Sequence, residues 1–202
     1  MRSLFTLFIL AQILFAGQAK AAFELKAARA STPIQVDGKL DEDEWKDAVR
    51  IGDFLQFQPR PGESAREQTE AYFFYDDAYL YFGFRCYDSE PSRITAQLNR
   101  RDADLFDDDS VIVVLDTFHD SRSGYFFGTN LLGTQSDGRI TDNGRVVETT
   151  WDATWLSAAE RFEGGWTAEM SIPLVHLRFR PRLPVARSHF SPQVHRGARV
   201  RI

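Results

Sequence analysis

The stretch YFFYDDAYLYFGF, residues 72–84, consists of two aromatic runs separated by Asp76, Asp77 and Ala78. Aromatic residues suit the pleated surface of a β-strand, and two such runs across a short polar break are typical of a hairpin. Successive side chains of a strand alternate between its faces. In the second run one face holds Leu80, Phe82, Phe84 and Cys86, and the other holds Tyr79, Tyr81, Arg85 and Tyr87. The stretch therefore predicts a β-hairpin in which Cys86 is a small buried hydrophobe.

The same two-residue rhythm continues on both sides of the hairpin, from Asp53 to Ile172. Short runs rich in aromatic and β-branched residues are separated by Gly, Asp, Asn and Pro, and they include DFLQF, DSVIVVLDTF, SGYFFGTNLLG, TQSDGRITD and GWTAEMSIP. Many short strands with frequent turn signals are typical of an all-β domain. The sequence predicts an antiparallel β-sandwich of the jelly-roll or immunoglobulin-like kind, with a barrel as the alternative.

The run GWTAEMSIP, residues 165–173, shows the alternation most simply. We expect Trp166, Ala168, Met170 and Ile172 to point inward and Thr167, Glu169 and Ser171 to point outward, with Pro173 ending the strand. A haem-binding sandwich would need a methionine and a histidine facing each other. No histidine is obviously placed opposite Met170, and this alternative stays open at the level of sequence.

The stretch IQVDGKLDEDEWKDA, residues 34–48, gathers six carboxylates around Trp45. Asp41 followed by Glu44 matches a capping box, and Leu40 with Trp45 matches a hydrophobic staple at a helix start. We therefore expect one short helix near residues 41–49. Most of these acids are interpreted as solvated groups at the positive end of the helix dipole.

The two ends of the chain differ from its middle. A charged start, an apolar run from Leu4 to Phe15 and the sequence Ala-Lys-Ala at 19–21 predict a signal peptide over residues 1–21. We expect the folded domain to span residues 22–180 and to work outside the cytoplasm, in the periplasm, at the outer membrane or secreted. Residues 181–202 are basic and lack a periodic apolar face, so they predict a disordered tail, or a segment made aberrant by a frame shift or truncation near Arg180.

Charge is distributed unevenly along the chain. All 29 acidic residues lie at or before Glu169, whereas seven of the 24 basic residues follow Leu177. An acidic body argues against binding to nucleic acid and permits cation sites. The single cysteine excludes an internal disulfide, so the domain must be stabilised by its own core.

Four segments, taken in order, resemble the family 9 carbohydrate-binding modules: IQVDGKLDEDEWKDA, YFFYDDAYLYFGFRCYDSEPSRI, DDDSVIVVLDTFHDSRSGYFFGTNLLGTQSDG and WDATWLSAAERFEGGWTAEMSIPLVHLRF. The resemblance covers residues 33 to about 180. It is greatest to the version at the amino terminus of bacterial proteins whose remaining length is predicted to form an outer-membrane barrel. It implies a β-sandwich, extracytoplasmic placement, calcium in surface loops and a sugar-binding surface.

Sugar recognition needs flat aromatic rings against the apolar face of the sugar and charged or amide groups for its hydroxyls. Carried over by the resemblance, the tryptophan, glutamate, arginine and asparagine of the family's sugar site fall at Phe106, Ile112, Gly128 and Asn130. Phe106 is a partial replacement, and only Asn130 is retained. Trp151 and Trp155, in the polar segment TWDATWLS, are further candidates for an exposed aromatic platform.

Clustered aspartates make calcium the expected cofactor, in a structural role. Calcium takes six to eight oxygen ligands from flexible loops. The expected ligands are Asp88, Asp108, Asp109 and Asp116, which lie in or beside the predicted loops. The alternative is that these carboxylates are solvated turn formers.

The function predicted from these features is non-catalytic binding of a polysaccharide or oligosaccharide, associated with polysaccharide breakdown or uptake. One alternative is a structural amino-terminal domain of an outer-membrane barrel protein. Another is a glycoside hydrolase, because members of the family are associated with enzymes that act on O-glycosyl bonds. A hydrolase would need two carboxylates about 5–9.5 Å apart, such as a pair drawn from Asp88, Asp109 and Glu169.

Overall fold

A computed structural model of the protein describes residues 23–24, 27–57, 59–179, 187–188, 193–195 and 197–199. The predicted signal peptide lies outside these residues. The described part contains one α-helix, α1 (Glu44–Asp47). Its strands are β1 (Phe23–Glu24), β2 (Ala28–Arg29), β3 (Val49–Ile51), β4 (Thr69–Tyr75), β5 (Tyr79–Tyr87), β6 (Ser110–Leu115), β7 (Gly124–Asn130), β8 (Gln135–Thr141), β9 (Val146–Glu148), β10 (Leu156–Phe162), β11 (Gly165–Pro173), β12 (Arg187–Ser188), β13 (Gln193–His195) and β14 (Gly197–Arg199).

Two six-stranded sheets form the body of the molecule. In the first sheet the order is β10-β11-β5-β4-β2, with β3 also paired to β4; in the second it is β13-β14-β6-β7-β8-β9. The long neighbouring strands are antiparallel, which confirms the predicted all-β sandwich. The predicted hairpin is the β4–β5 pair. Its turn is closed by Asp76, whose carboxylate accepts hydrogen bonds of 2.7 Å from the backbone N–H groups of Ala78 and Tyr79.

The main core lies between the two sheets. Alternate side chains of the first sheet, among them Phe82, Phe84 and Cys86, meet Val111, Val113 and Phe127 from the second, and all are buried. The inward positions of Trp166, Ala168, Met170 and Ile172 are confirmed, as is the buried state of Cys86. Burial raises the pKa of the Cys86 thiol to about 12, so the thiol stays protonated and behaves as an apolar group.

A second, smaller core covers the outer face of the first sheet. Trp45 packs against Phe74, with ring centroids 4.7 Å apart, and Phe74 stacks on Tyr81 at 4.8 Å. Gly83 makes this approach feasible, because an added Cβ would lie 2.7 Å from Leu40 Cδ2 and 2.8 Å from Trp45 Cζ3. Tyr81, on the face of β5 opposite Phe82, is therefore buried beneath the amino-terminal segment 28–48, which departs from a simple alternation of one buried and one exposed face.

Glu169 is the second departure from the expected alternation. Predicted to point outward, it lies on the outer face of β11 but is fully buried, 0% exposed, beneath the same segment. Its Oε2 accepts 2.8 Å hydrogen bonds from the N–H groups of Asp37 and Gly38, and its Oε1 accepts one of 3.0 Å from Trp45 Nε1. Burial and the nearby Glu42 carboxylate outweigh these donors and raise the pKa of Glu169 to about 7.

The helix is shorter than the capping pattern predicts. It begins at Glu44, its N-cap residue is Asp43, and no side chain caps it. The expected capping box between Asp41 and Glu44 is wrong, since Glu44 accepts a hydrogen bond from the Thr32 hydroxyl instead. Glu42 reaches the backbone N–H of Gln35 and the indole of Trp45. Glu42 and Glu44 thus form hydrogen bonds with the preceding segment and with Trp45 instead of capping the helix.

Little of the predicted basic tail falls in the described part of the chain. There β12 pairs with β1, β13 pairs with β14, and β14 pairs with β6 through Arg199 and Ile112. The predictions of disorder or aberrant sequence for residues 181–202 remain predictions. No helix among the described residues is long and apolar enough to cross a bilayer.

Protonation of Glu169 should make the stability of the domain depend on pH. Because the pKa is raised from 4.5 to about 7, its stabilising contribution is complete below pH 4.5 and is lost as the pH rises through 7. Over this range, relative to Glu169→Gln, we expect the free energy of unfolding to fall by up to about 3 kcal/mol. Urea titrations of both proteins at several pH values measure it.

A matched control is Glu163→Gln, which changes an exposed glutamate. Its stability should follow the wild-type pH profile. A Glu169→Gln profile parallel to wild type between pH 4.5 and 8 would contradict the assignment.

Candidate functional site

A concave pocket of about 500 Å³ lies on the outer face of the second sheet. Its described lining comes from the sheet and from the loop before β6. The lining residues are Asp102, Ala103, Asp104, Leu105, Phe106, Ile112, Val114, Phe126, Gly128, Ser136, Ile140, Val147 and Thr149. This volume falls within the usual range for small-ligand sites.

The sheet floor is apolar because β6 is apolar on both faces. Val111 and Val113 enter the main core, while Ile112 and Val114 face the pocket. Across the sheet, Ile112 lies opposite Gly128 and Val114 lies opposite Phe126. The floor thus continues from one strand to the next without an intervening charge.

Gly138 on β8 gives the Phe126 ring its place on the floor. The two residues are direct neighbours in the sheet. An added Cβ at Gly138 would lie 2.6 Å from Phe126 Cε1 and 2.5 Å from the Glu148 carbonyl oxygen, closer than such atoms can approach. The missing side chain therefore lets the ring lie against the sheet and keeps the pocket concave.

Phe106 stands at the edge of the pocket on a short turn of 3₁₀-helix, Leu105–Asp107. The turn is fixed at both ends: the Asp104 carboxylate accepts a 3.2 Å hydrogen bond from Phe106 N, and the Ser110 hydroxyl donates one of 3.0 Å to the Leu105 carbonyl. Leu105 is buried, whereas Phe106 is 53% exposed. The loop thus presents an aromatic side chain to solvent beside an apolar floor.

Three of the four positions carried over by the family resemblance, Phe106, Ile112 and Gly128, line this one pocket. Asn130 does not. Its side chain is 0% exposed; its amide donates to the Leu98 carbonyl and the Asp108 carboxylate, and its Oδ1 accepts from Leu132 N and Thr134 N. Every hydrogen-bonding position of the amide is used within the protein, and a ligand contact by Asn130 stays a prediction from sequence.

The two tryptophans expected to form an exposed platform are packed inward. Trp155 is 3% exposed, stands edge-on to Phe127 at 5.4 Å, and donates from Nε1 to Asp137 Oδ1 at 3.0 Å. Trp151 is half-buried and packs on Tyr125 at 4.8 Å. Neither lines the pocket. The expectation of exposure is wrong for Trp155, because its indole reaches a buried carboxylate and enters the core.

An arginine links the loops beside the pocket. The guanidinium of Arg101 contacts Asp102, Asp137 and Asp152, and it donates 2.9 Å to the Ala153 carbonyl. These three carboxylates form the one group in the described chain with metal-like spacing, since their oxygens lie within 4.8 Å of one another. Burial raises the pKa of Asp137, and the indole of Trp155 and the charge of Arg101 oppose this effect. The positive charge of the Arg101 guanidinium balances part of the negative charge of these three carboxylates.

The four expected calcium ligands do not fit a single ion. Asp109 and Asp116 flank the six-residue strand β6 and are therefore about 20 Å apart, whereas ligands of one ion lie within about 5 Å of each other. The Asp108 carboxylate already accepts hydrogen bonds from Gln97 N, Leu98 N and Asn130 Nδ2. Asp88 accepts from Glu90 N. Calcium remains a prediction from sequence, which melting curves with calcium and with a chelator would test.

Sequence reasoning missed most of the pocket. Val114, Phe126, Ile140 and Val147 were assigned no role, and the alternation rule expects polar side chains on an outer face. The signal that could have revealed them is the run SVIVVL in β6, which is apolar at every position after its serine. Such a strand needs cover on both faces or lines a ligand site.

The fold and pocket define a β-sandwich with a concave, partly aromatic pocket on the outer face of one sheet. The family described as carbohydrate family 9 binding domain-like matches residues 36–189, and the chain belongs to this family. Among the curated proteins, none matches the chain.

Solved structures of similar fold include a protein from Bacteroides uniformis ATCC 8492 proposed to bind carbohydrate. It is 11% identical, with a TM-score of 0.55 over 76% of this chain and 73% of that one. A family 9 module from Caldicellulosiruptor kristjanssonii in complex with cellotriose is 18% identical, with a TM-score of 0.45 over 72% and 65% of the two chains. A family 9 module from the same organism in complex with glucose is 17% identical, with a TM-score of 0.45 over 73% of this chain and 67% of that one.

Removing the buried amide should cost stability rather than affinity alone. Asn130→Ala deletes four hydrogen bonds and leaves buried partners unsatisfied, so the free energy of unfolding should fall by about 3 kcal/mol. Asn99→Ala, at an exposed asparagine in the preceding loop, should change it by less than about 0.5 kcal/mol. Urea unfolding measures the free energy of both variants. A fall for Asn130→Ala no larger than that for Asn99→Ala would show that Asn130 has no structural role.

Proposed function

We propose that this domain binds carbohydrate without catalysis, at the pocket on the outer face of the second sheet. Phe106 is the ring that stacks on the apolar face of the sugar, and the floor of Ile112, Val114 and Phe126 receives apolar groups of the ligand. Ser136, which lies opposite Gly128 in the sheet, and Thr149, which follows β9, supply hydroxyl groups. The proposal places the ligand beside the loop that Arg101 and Asn130 hold in position.

One observation carries this proposal: Phe106, Ile112 and Gly128, three of the positions that the family resemblance assigns to the sugar site, all line one pocket of ligand size. Many rigid contacts also surround the pocket, and a preformed site costs less ordering free energy on binding.

We further propose that binding serves polysaccharide breakdown or uptake outside the cytoplasm, with an outer-membrane barrel as a candidate neighbour. The predicted signal peptide supports the placement. The hydrolase alternative has less support, because Glu169, one of its candidate acids, lies beneath the amino-terminal segment away from solvent. A glycan-binding role needs no such carboxylate.

Removing the ring of Phe106 should weaken glycan binding about tenfold, since loss of one stacking contact is worth roughly 1.4 kcal/mol. The measurement is affinity electrophoresis against a panel of soluble polysaccharides, comparing wild type with Phe106→Ala. Phe57→Ala is the matched control, an exposed phenylalanine that does not line the pocket. No retardation of wild type by any glycan, or equal retardation of both variants, would overturn the proposal.

A further inference from the structure

The walls of the pocket offer few partners for sugar hydroxyls. Ile112, Val114, Phe126, Ile140 and Val147 present only carbon to the cavity. A hydroxyl moved from water to such a surface without a hydrogen bond loses free energy, and a methyl group moved there gains it. The floor therefore favours a ligand that turns an apolar group toward the sheet.

The charge of the described lining also restricts the ligand. Asp102 and Asp104 lie at one edge, and neither lysine nor arginine is present among the described lining residues. Arg101 is not itself a lining residue, and its guanidinium is shared among the carboxylates of Asp102, Asp137 and Asp152 and the Ala153 carbonyl. A carboxylated or sulfated sugar would meet like charge, which disfavours binding.

We infer that the pocket selects uncharged sugar units that carry an apolar substituent, such as an O-acetyl group, over the unsubstituted sugar. The substituent lies on the floor between Val114 and Phe126, and the sugar ring meets Phe106 at the edge. Hydroxyls of the sugar face Ser136, Thr149 or solvent. This inference rests on the proposed carbohydrate binding and adds the chemical class of the ligand.

A matched pair of probes tests it: acetylated xylooligosaccharides and the same preparation after removal of the acetyl groups by mild alkali. Burial of a single additional carbon is worth roughly fourfold in affinity, so calorimetric titration should show at least about fourfold tighter binding of the acetylated form. A glucuronate-substituted, non-acetylated oligosaccharide should bind more weakly than its neutral counterpart.

The variant Val114→Thr keeps the shape of the side chain and adds a hydroxyl to the floor. It should lower the ratio of the affinities for the acetylated and the deacetylated probe toward one. Val146→Thr makes the same exchange at an exposed position outside the pocket and should leave the preference unchanged. Melting temperatures of both variants report whether either has lost its fold.

The possible outcomes distinguish a failure of the selectivity from a failure of carbohydrate binding. Equal binding of both probes, or an equal response to both variants, overturns the selectivity while carbohydrate binding stands. If neither probe binds but the polysaccharide panel retards the wild type, selectivity alone is overturned. If the panel also fails, both the selectivity and the proposed function are overturned.

Discussion

Hydrogen bonds between the buried Glu169 carboxylate and the amino-terminal segment hold that segment over the outer face of the first sheet. Both sheets carry apolar side chains on their outer faces. On the first sheet, segment 28–48 covers them, held by three hydrogen bonds to Glu169 and by Trp45 packed over Gly83. The described chain provides no such cover for Ile112, Val114 and Phe126 on the second sheet. The pocket is the consequence of this asymmetry.

Two buried polar centres stiffen the loops around that open face. Asn130 joins the segment near Leu98 to Asp108 and to the turn after β7. Asp137, with Arg101, Trp155 and Ala153, ties the loop before the 3₁₀-turn to the segment before β10. Buried polar groups satisfied on every side fix one arrangement of their neighbours, because any displacement leaves a donor or acceptor unpaired. Phe106 therefore projects from a constrained loop.

The same networks explain why side chains of types that are common in ligand sites lie buried in this domain. An asparagine beside a strand end and two tryptophans in a polar segment look accessible when only local composition is known. In the folded molecule Asn130 and Trp155 satisfy buried partners that are 22 and 18 residues away. Phe106 remained at the surface because its neighbour Leu105 occupies the buried position of the turn. The local sequence pattern does not distinguish the buried Asn130 and Trp155 from the exposed Phe106.

The sequence alone determined the all-β class, the β4–β5 hairpin, the inward faces of β5 and β11 and the burial of Cys86, because alternation and turn chemistry act between neighbouring residues. It also identified the family through four ordered segments. Only the tertiary structure decided that Glu169 is buried, that the acids near Trp45 serve long-range contacts, and that Val114, Phe126, Ile140 and Val147 form a floor. Those outcomes depend on which segment covers which sheet face, a choice made by packing between residues far apart in the chain.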